Sequence, residues 1–275
     1  MSTETPSTET PSTATPIPVR SPLTSALSGT TAVLIGGSSG IGLAAGVLLR
    51  SVGARVVLVG RDPDRLKAAV SRVRGASPAE DPADAVLGVS GDGGDEQTLA
   101  EAFDRAGHVD HVYVTAGGIS GAGPLTGLSA DDIRATLGSG PLQTAFATAR
   151  AAATRLPAGG SLTFSSGILV VRPAPGMTVP LSLAGAVETL TKALAVELAP
   201  ARVRVNTVRY GRIDTPLLRS LPGLDSDDAI AAAGSTAPLG RFGTAEEAAA
   251  TAVFLMANNY VTGQVVTVDG GETLT

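Results

Sequence analysis

The sequence predicts a single α/β domain built on a doubly wound parallel sheet. Three observations carry that prediction. Short apolar runs alternate with helix-length segments through most of the chain. The first run passes directly into a glycine cluster that opens an apolar helix. The 275 residues are 43% hydrophobic, enough for one sizeable core.

Residues 2 to 16 read STETP, STETP, STATP. Such a polar, proline-rich repeat buries too little apolar surface to offset the entropy of ordering it. Residues 1–28 are therefore expected to form a disordered tail before a domain over 29–275. Thr31 to Ile35 is a short apolar run, as a parallel strand covered on both faces requires. Gly40 to Leu49 is predicted helical and Arg55 to Val59 a strand. Asp64 to Val73 follows as a helix, with Asp62 or Asp64 as its cap. Ala85 to Val89 is the third strand, Glu96 to Arg105 a helix and His111 to Thr115 the fourth strand. Ala130 to Arg155 is expected to be one long helix, bent or interrupted by Pro141. Ser161 to Ser165 is the fifth strand, Pro180 to Leu198 a long Ala/Leu-rich helix and Val203 to Val208 the sixth strand. Thr244 to Met256 is a helix, and Val265 to Val268 closes the pattern as a strand. Repeated strand–helix–strand units joined by right-handed crossovers give a parallel sheet with helices on both faces.

Composition narrows the function. The formal net charge is −5, with no basic stripe, so nucleic acid is not expected as a partner. Cysteine is absent, which excludes disulfides and thiolate metal sites. His108 and His111 have an H-x-x-H spacing but read as polar residues entering a strand, and no metal is expected. No uninterrupted apolar stretch reaches the length of a membrane span. The N-terminus lacks the basic start and apolar centre of a secretory signal, so a cytoplasmic protein away from the membrane is expected.

The glycine cluster is Gly36-Gly37-Ser38-Ser39-Gly40-Ile41-Gly42, set between the first strand and first helix. Glycines let the backbone turn tightly and approach a pyrophosphate, while the helix N-terminus offers unpaired N–H groups and a positive dipole end. The second strand ends Val59-Gly60-Arg61. An acid near Gly60 would hold the ribose 2′-hydroxyl of NAD. Glycine removes that charge, and Arg61 can pair with the 2′-phosphate of NADP(H), with Ser38 and Ser39 as further hydrogen-bonding groups.

The G-x-x-x-G-x-G spacing resembles the short-chain dehydrogenase/reductase family. The resemblance extends over nearly all the chain after the tail. Asp92 in GDGGDE matches the family aspartate that contacts adenine. VTAG, Val114 to Gly117, stands where the family usually has NNAG and includes Ala116 and Gly117. VRVNTVRYG resembles VRVNxVxPG, and the segment from LGRFGTAEE to VDGG matches the family C-terminus. Ile213 and Thr215 match the segment that holds the nicotinamide carboxamide. The resemblance implies a Rossmann-type fold, a small-molecule substrate, an apolar lid around residues 217–238 and a homodimer or homotetramer.

The family chemistry uses a tyrosine and, four residues later on the same helix face, a lysine that lowers its pKa. Matching VETLTKALAVEL to the family helix puts Pro180 and Ala184 at those places and Gly140 at the supporting asparagine. None of Tyr113, Tyr210 and Tyr260 is followed four residues on by lysine. Ser166 remains as the family serine. Tyr210, standing where the family has proline, is the sharpest replacement for the proton donor. Arg172, Thr178 and Ser182 border the expected substrate cleft as hydrogen-bond donors. Three functions follow, in order: an NADP(H)-dependent oxidoreductase with a rebuilt proton site, a non-redox cyclase, dehydratase or isomerase on the same scaffold, and a catalytically inactive binding protein.

Overall fold

A strand buried on both faces needs apolar side chains at every position, and β1 (Thr31–Ile35) is buried throughout. Its side chains alternate between two cores. Ala32 and Leu34 face one layer of helices, Val33 and Ile35 the other. The structure is a computed structural model that describes residues 22–77, 82 and 84–275.

In chain order the elements after β1 are α1 (Gly40–Ser51), β2 (Arg55–Gly60), α2 (Pro63–Arg74), β3 (Val86–Ser90), α3 (Glu96–Ala106) and β4 (His111–Val114). Then come α4 (Ala130–Leu137), α5 (Pro141–Ala153), β5 (Ser161–Gly167), α6 (Thr178–Glu197) and β6 (Arg204–Tyr210). The chain ends with β7 (Ile213–Asp214), α7 (Pro216–Arg219), α8 (Asp227–Gly234), β8 (Gly243–Thr244), α9 (Ala245–Ala257) and β9 (Val265–Val268).

The main sheet has the order β3-β2-β1-β4-β5-β6-β9, and every neighbouring pair is parallel. Buried residues of α1, α2 and α9 form the core on one face, and those of α3, α5 and α6 the core on the other. The chain leaves β1 outward in one direction and, from β4, in the opposite one. That reversal opens a crevice at the carboxyl ends of β1 and β4, the usual ligand position in such sheets. The expected doubly wound α/β domain is therefore the observed one.

Several expectations need correction. The tail boundary moves: residues 1–21 lie outside the described residues, but Thr24–Leu27 form a 3-10 helix with Leu27 buried at 2% exposure. Leu27 is apolar enough to join the core that α9 also lines. The long helix over 130–155 is two helices. Gly140, at φ 77°, separates them, and Pro141 starts α5 where its missing N–H costs nothing. β5 and β6 run two residues farther than their apolar cores, to Gly167 and Tyr210. The helices α7 and α8 are additions in the segment expected to be a lid, and the two-residue pair β7–β8 flanks it. Helix α6, with 20 residues, does have the length and composition of a membrane span. Here Val187, Leu194 and Ala195 on it belong to the core beneath β5 and β6.

Candidate functional site

The crevice at the strand ends is a cleft of about 610 Å³, within the size range of small-molecule sites. Gly36 leaves β1 at φ 94°, and a β-carbon there would stand 2.5 Å from the Ala116 nitrogen. Only glycine lets the loops after β1 and β4 touch backbone to backbone. Thr115 fastens that contact by donating from Oγ1 to the Gly36 carbonyl at 3.1 Å. Gly42 is buried behind the loop, where a β-carbon would lie 2.4 Å from the Gly36 oxygen. Ile41 packs against the core under α1. Ser39 takes the N-cap position of α1 without a side-chain cap hydrogen bond, and the first turn holds no acid. The first N–H groups of α1 are thereby left for an anion.

The remaining walls come from the next strands. Asp62 caps α2, accepting from the Arg65 N–H at 2.9 Å, and the side chains of Arg61 and Arg65 line the cleft on either side of it. A β-carbon at Gly60 would stand 2.6 Å from Ser38 Oγ and 2.8 Å from Ser38 Cβ. Asp92 Oδ1 accepts from the Gly94 N–H at 2.7 Å, which shapes the turn after β3. Ala116 and Gly117 complete the wall after β4. Gly36, Ser38, Ser39, Arg61, Asp92, Ala116 and Gly117 are thus brought to one cleft. Thr215 does not line this cleft but abuts the start of α1, with its Cβ 3.5 Å from where a β-carbon at Gly40 would be. Ile213 is buried beneath it and pairs with Gly243.

The expected catalytic pair is not brought together. Ser166 and Tyr210 end neighbouring strands but point to opposite faces of the sheet. Ser166 Oγ donates to Glu188 Oε1 on α6 at 2.8 Å. Glu188 is in turn held by Arg209, whose Nε and Nη2 donate to its two oxygens at 2.8 and 2.6 Å. Tyr210 lies in the core shared with α1 and α9, its hydroxyl 2.5 Å from that of Tyr113. Burial raises the Tyr210 phenol well above its ordinary range, with Tyr113 adding to the shift, and burial pushes Tyr113 up to about 12. Arg172 turns to the C-terminus, where Nη1 donates to the Glu272 carbonyl. Ser182 donates back to the Thr178 carbonyl at 2.8 Å. His108 donates to Asp110 at 3.0 Å, and His111 is buried with Nδ1 2.8 Å from Ser161 Oγ.

The family model described as Enoyl-(Acyl carrier protein) reductase matches residues 35–273. "Carbonyl reductase family member 4" of Danio rerio is 32% identical over 244 residues, covering 87% of this chain and 96% of that protein. "Short-chain dehydrogenase/reductase ATR9" of Stachybotrys chlorohalonatus is 32% identical over 262 residues, covering 90% and 98%. The solved MalC Reductase/Diels-Alderase of Malbranchea aurantiaca superposes with a TM-score of 0.81 at 28% identity, covering 90% of this chain and 98% of that one. This chain belongs to the short-chain dehydrogenase/reductase family.

The family typically binds a nicotinamide cofactor, and the cleft fits one. Its glycine floor admits a backbone-hugging pyrophosphate, and the start of α1, uncapped by any side chain, complements that charge. Pro180 sits in the first turn of α6, tolerated there because its N–H has no helical acceptor. Two polar pairs built on buried carboxylates, Glu188 with Arg209 and Glu272 with Arg212, were missed from sequence. Glu188 carried one available signal, an acid on the buried stripe of an apolar helix. Arg65 could have been found as the second arginine one helical turn after Arg61.

Proposed function

We propose that this chain is an NADP(H)-dependent oxidoreductase acting on a small carbonyl, alcohol or enone substrate with a non-standard proton site. The contact of Gly60 with Ser38, flanked by Arg61 and Arg65, carries the reading. A side chain at position 60 would have to displace Ser38, so no carboxylate stands there to repel a phosphate or to compete for Arg61 and Arg65. The same place suits a phosphate, because arginine binds one through several parallel N–H donors. NADP(H), when bound, supplies the hydride chemistry. The protein's part is to seat the 2′-phosphate on Arg61, the pyrophosphate on the start of α1 and the nicotinamide end against Ile213 and Thr215. Ser166 is the hydroxyl retained near the carboxyl end of β5, with Glu188 behind it to orient it. Tyr210 has no part in the proton step, since its hydroxyl is buried against Tyr113 on the other face.

Losing a positioned general acid costs about 10²–10⁴-fold in rate, so slow turnover is expected. The test is NADPH absorbance with a panel of ketones, quinones and enones. Steady, substrate-dependent loss supports the reading, and NADPH binding without oxidation of any panel member contradicts it. A second reading, a non-redox cyclase on the same scaffold, is favoured by one observation: the structural neighbour from Malbranchea aurantiaca is described as a Reductase/Diels-Alderase. Product formation from a cyclisable substrate with no change in NADPH absorbance would select it.

A further inference from the structure

The C-terminal turn after β9 reaches the nicotinamide side of the cleft through one buried carboxylate. Asp269 organises the turn, accepting from the N–H groups of Gly271 and Thr273, each at 2.9 Å, and from the Thr273 hydroxyl at 2.7 Å. These bonds roll residues 272–274 into a 3-10 turn with Glu272 inward at 4% exposure. Glu272 Oε1 accepts from the Arg212 backbone N–H at 3.0 Å, and Oε2 from Arg212 Nε at 2.6 Å. The Arg212 guanidinium lies 5.0 Å from the centre of the Phe242 ring, just before the Gly243–Thr244 strand that pairs with Ile213–Asp214. Gly211 is pressed against the same turn: a β-carbon there would be 2.6 Å from Asp269 Cα. Two residues beyond Ile213, Thr215 abuts Gly40 at the start of α1.

We propose that Glu272 is the positioning residue for the nicotinamide half of the site, holding segment 211–215 against the glycine loop. A buried carboxylate is costly unless hydrogen-bonded to a cation, so its presence locks Arg212 in one place. Arg212 then fixes the start of the segment that ends at Thr215. The backbone carbonyl of Glu272 receives Arg172 from the loop after β5, so one turn ties both loops beside the cleft. Both carboxylate oxygens are occupied, and Glu272 acts through Arg212, not on substrate. The inference rests on the cofactor reading above.

The test compares two ligands by calorimetric titration of the full chain. NADPH spans both halves of the site, whereas 2′,5′-ADP carries only the adenosine and phosphate end. Glu272→Ala is expected to weaken NADPH about tenfold and to leave 2′,5′-ADP within about twofold of wild type. Unchanged NADPH affinity, or an equal loss for both ligands, overturns the inference. If Glu272→Ala fails to fold, Glu272→Gln keeps an acceptor for the Arg212 N–H and loses only the charge. It is expected to weaken NADPH about threefold with no change for 2′,5′-ADP, and equal affinities to wild type for both overturn the inference. A wild-type chain that binds neither ligand overturns the cofactor reading and this inference together.

Discussion

At the scale of single residues, the pleat decides which of two adjacent strand ends can serve the cleft. Gly167 pairs with Tyr210, so Ser166 and Tyr210 differ by one residue in register and face opposite layers. In the sequence both look available. In the fold one hydroxyl meets Glu188 and the other Tyr113. Removing the Tyr210 hydroxyl leaves Tyr113 without that partner in a core site. Tyr210→Phe should therefore cost about 1 kcal/mol of stability in denaturant titration and leave NADPH affinity unchanged. Weakened NADPH binding at unchanged stability would show that Tyr210 belongs to the site after all. The glycine loop, Arg61 and Asp92 were legible because their roles are local: a turn, a strand end, a helix start. Glu188 and Arg209 are 21 residues apart, and Arg212 and Glu272 60 apart. Such partners have no periodic signature, since a lone charge on an apolar element reads the same whether buried or solvated.

At the scale of elements, α1 leaves its first N–H groups without a side-chain cap, as α5 and α6 also do. Asp62, Asp95, Ser129, Ser226 and Thr244 all cap their helices through side chains, and Ser39 does not cap α1. At α9 the cap is reinforced. Thr244 and Glu247 form a capping box, and Arg241 donates to both Glu247 oxygens at 2.6 and 2.8 Å. The Arg241 hydrogen bonds, then the Thr244 N–H, lower the Glu247 carboxyl from 4.5 to about 2. The folded value lies below the unfolded one. The stabilisation is therefore complete above pH 4.5 and is lost as pH falls towards 2. Glu247 is half-exposed, so solvent screens the pair and the effect is small. Glu247→Gln should lower the thermal midpoint slightly at pH 7 and flatten the acid limb of the stability profile. An unchanged acid limb would contradict the pairing. Elements of ordinary length were legible from their period. The pair β7–β8 was not, because two residues are too few to show alternation. The break between α4 and α5 was half legible: Pro141 marks it, but Gly140 turns a bend into two helices.

At the scale of the whole molecule, sheet order makes the cleft. Loops after β1, β2, β3 and β4 converge because those strands are neighbours running in one direction. The alternation of strand and helix predicted that convergence, and with it the place of the cleft. The chemistry beside it was less legible, because its buried polar groups are paired across the fold. A ligand that binds only the folded chain stabilises the whole of it by mass action, about 2.7 kcal/mol at a hundredfold excess over Kd. Thermal unfolding of the full chain with equal concentrations of NADPH and NADH therefore tests the central claim directly. NADPH at that excess should raise the wild-type midpoint by about 5–10 °C and NADH by about 2 °C or less. Arg61→Glu should bring the two shifts together by lowering that of NADPH. A wild-type chain stabilised as much by NADH as by NADPH, or by neither, would contradict the account.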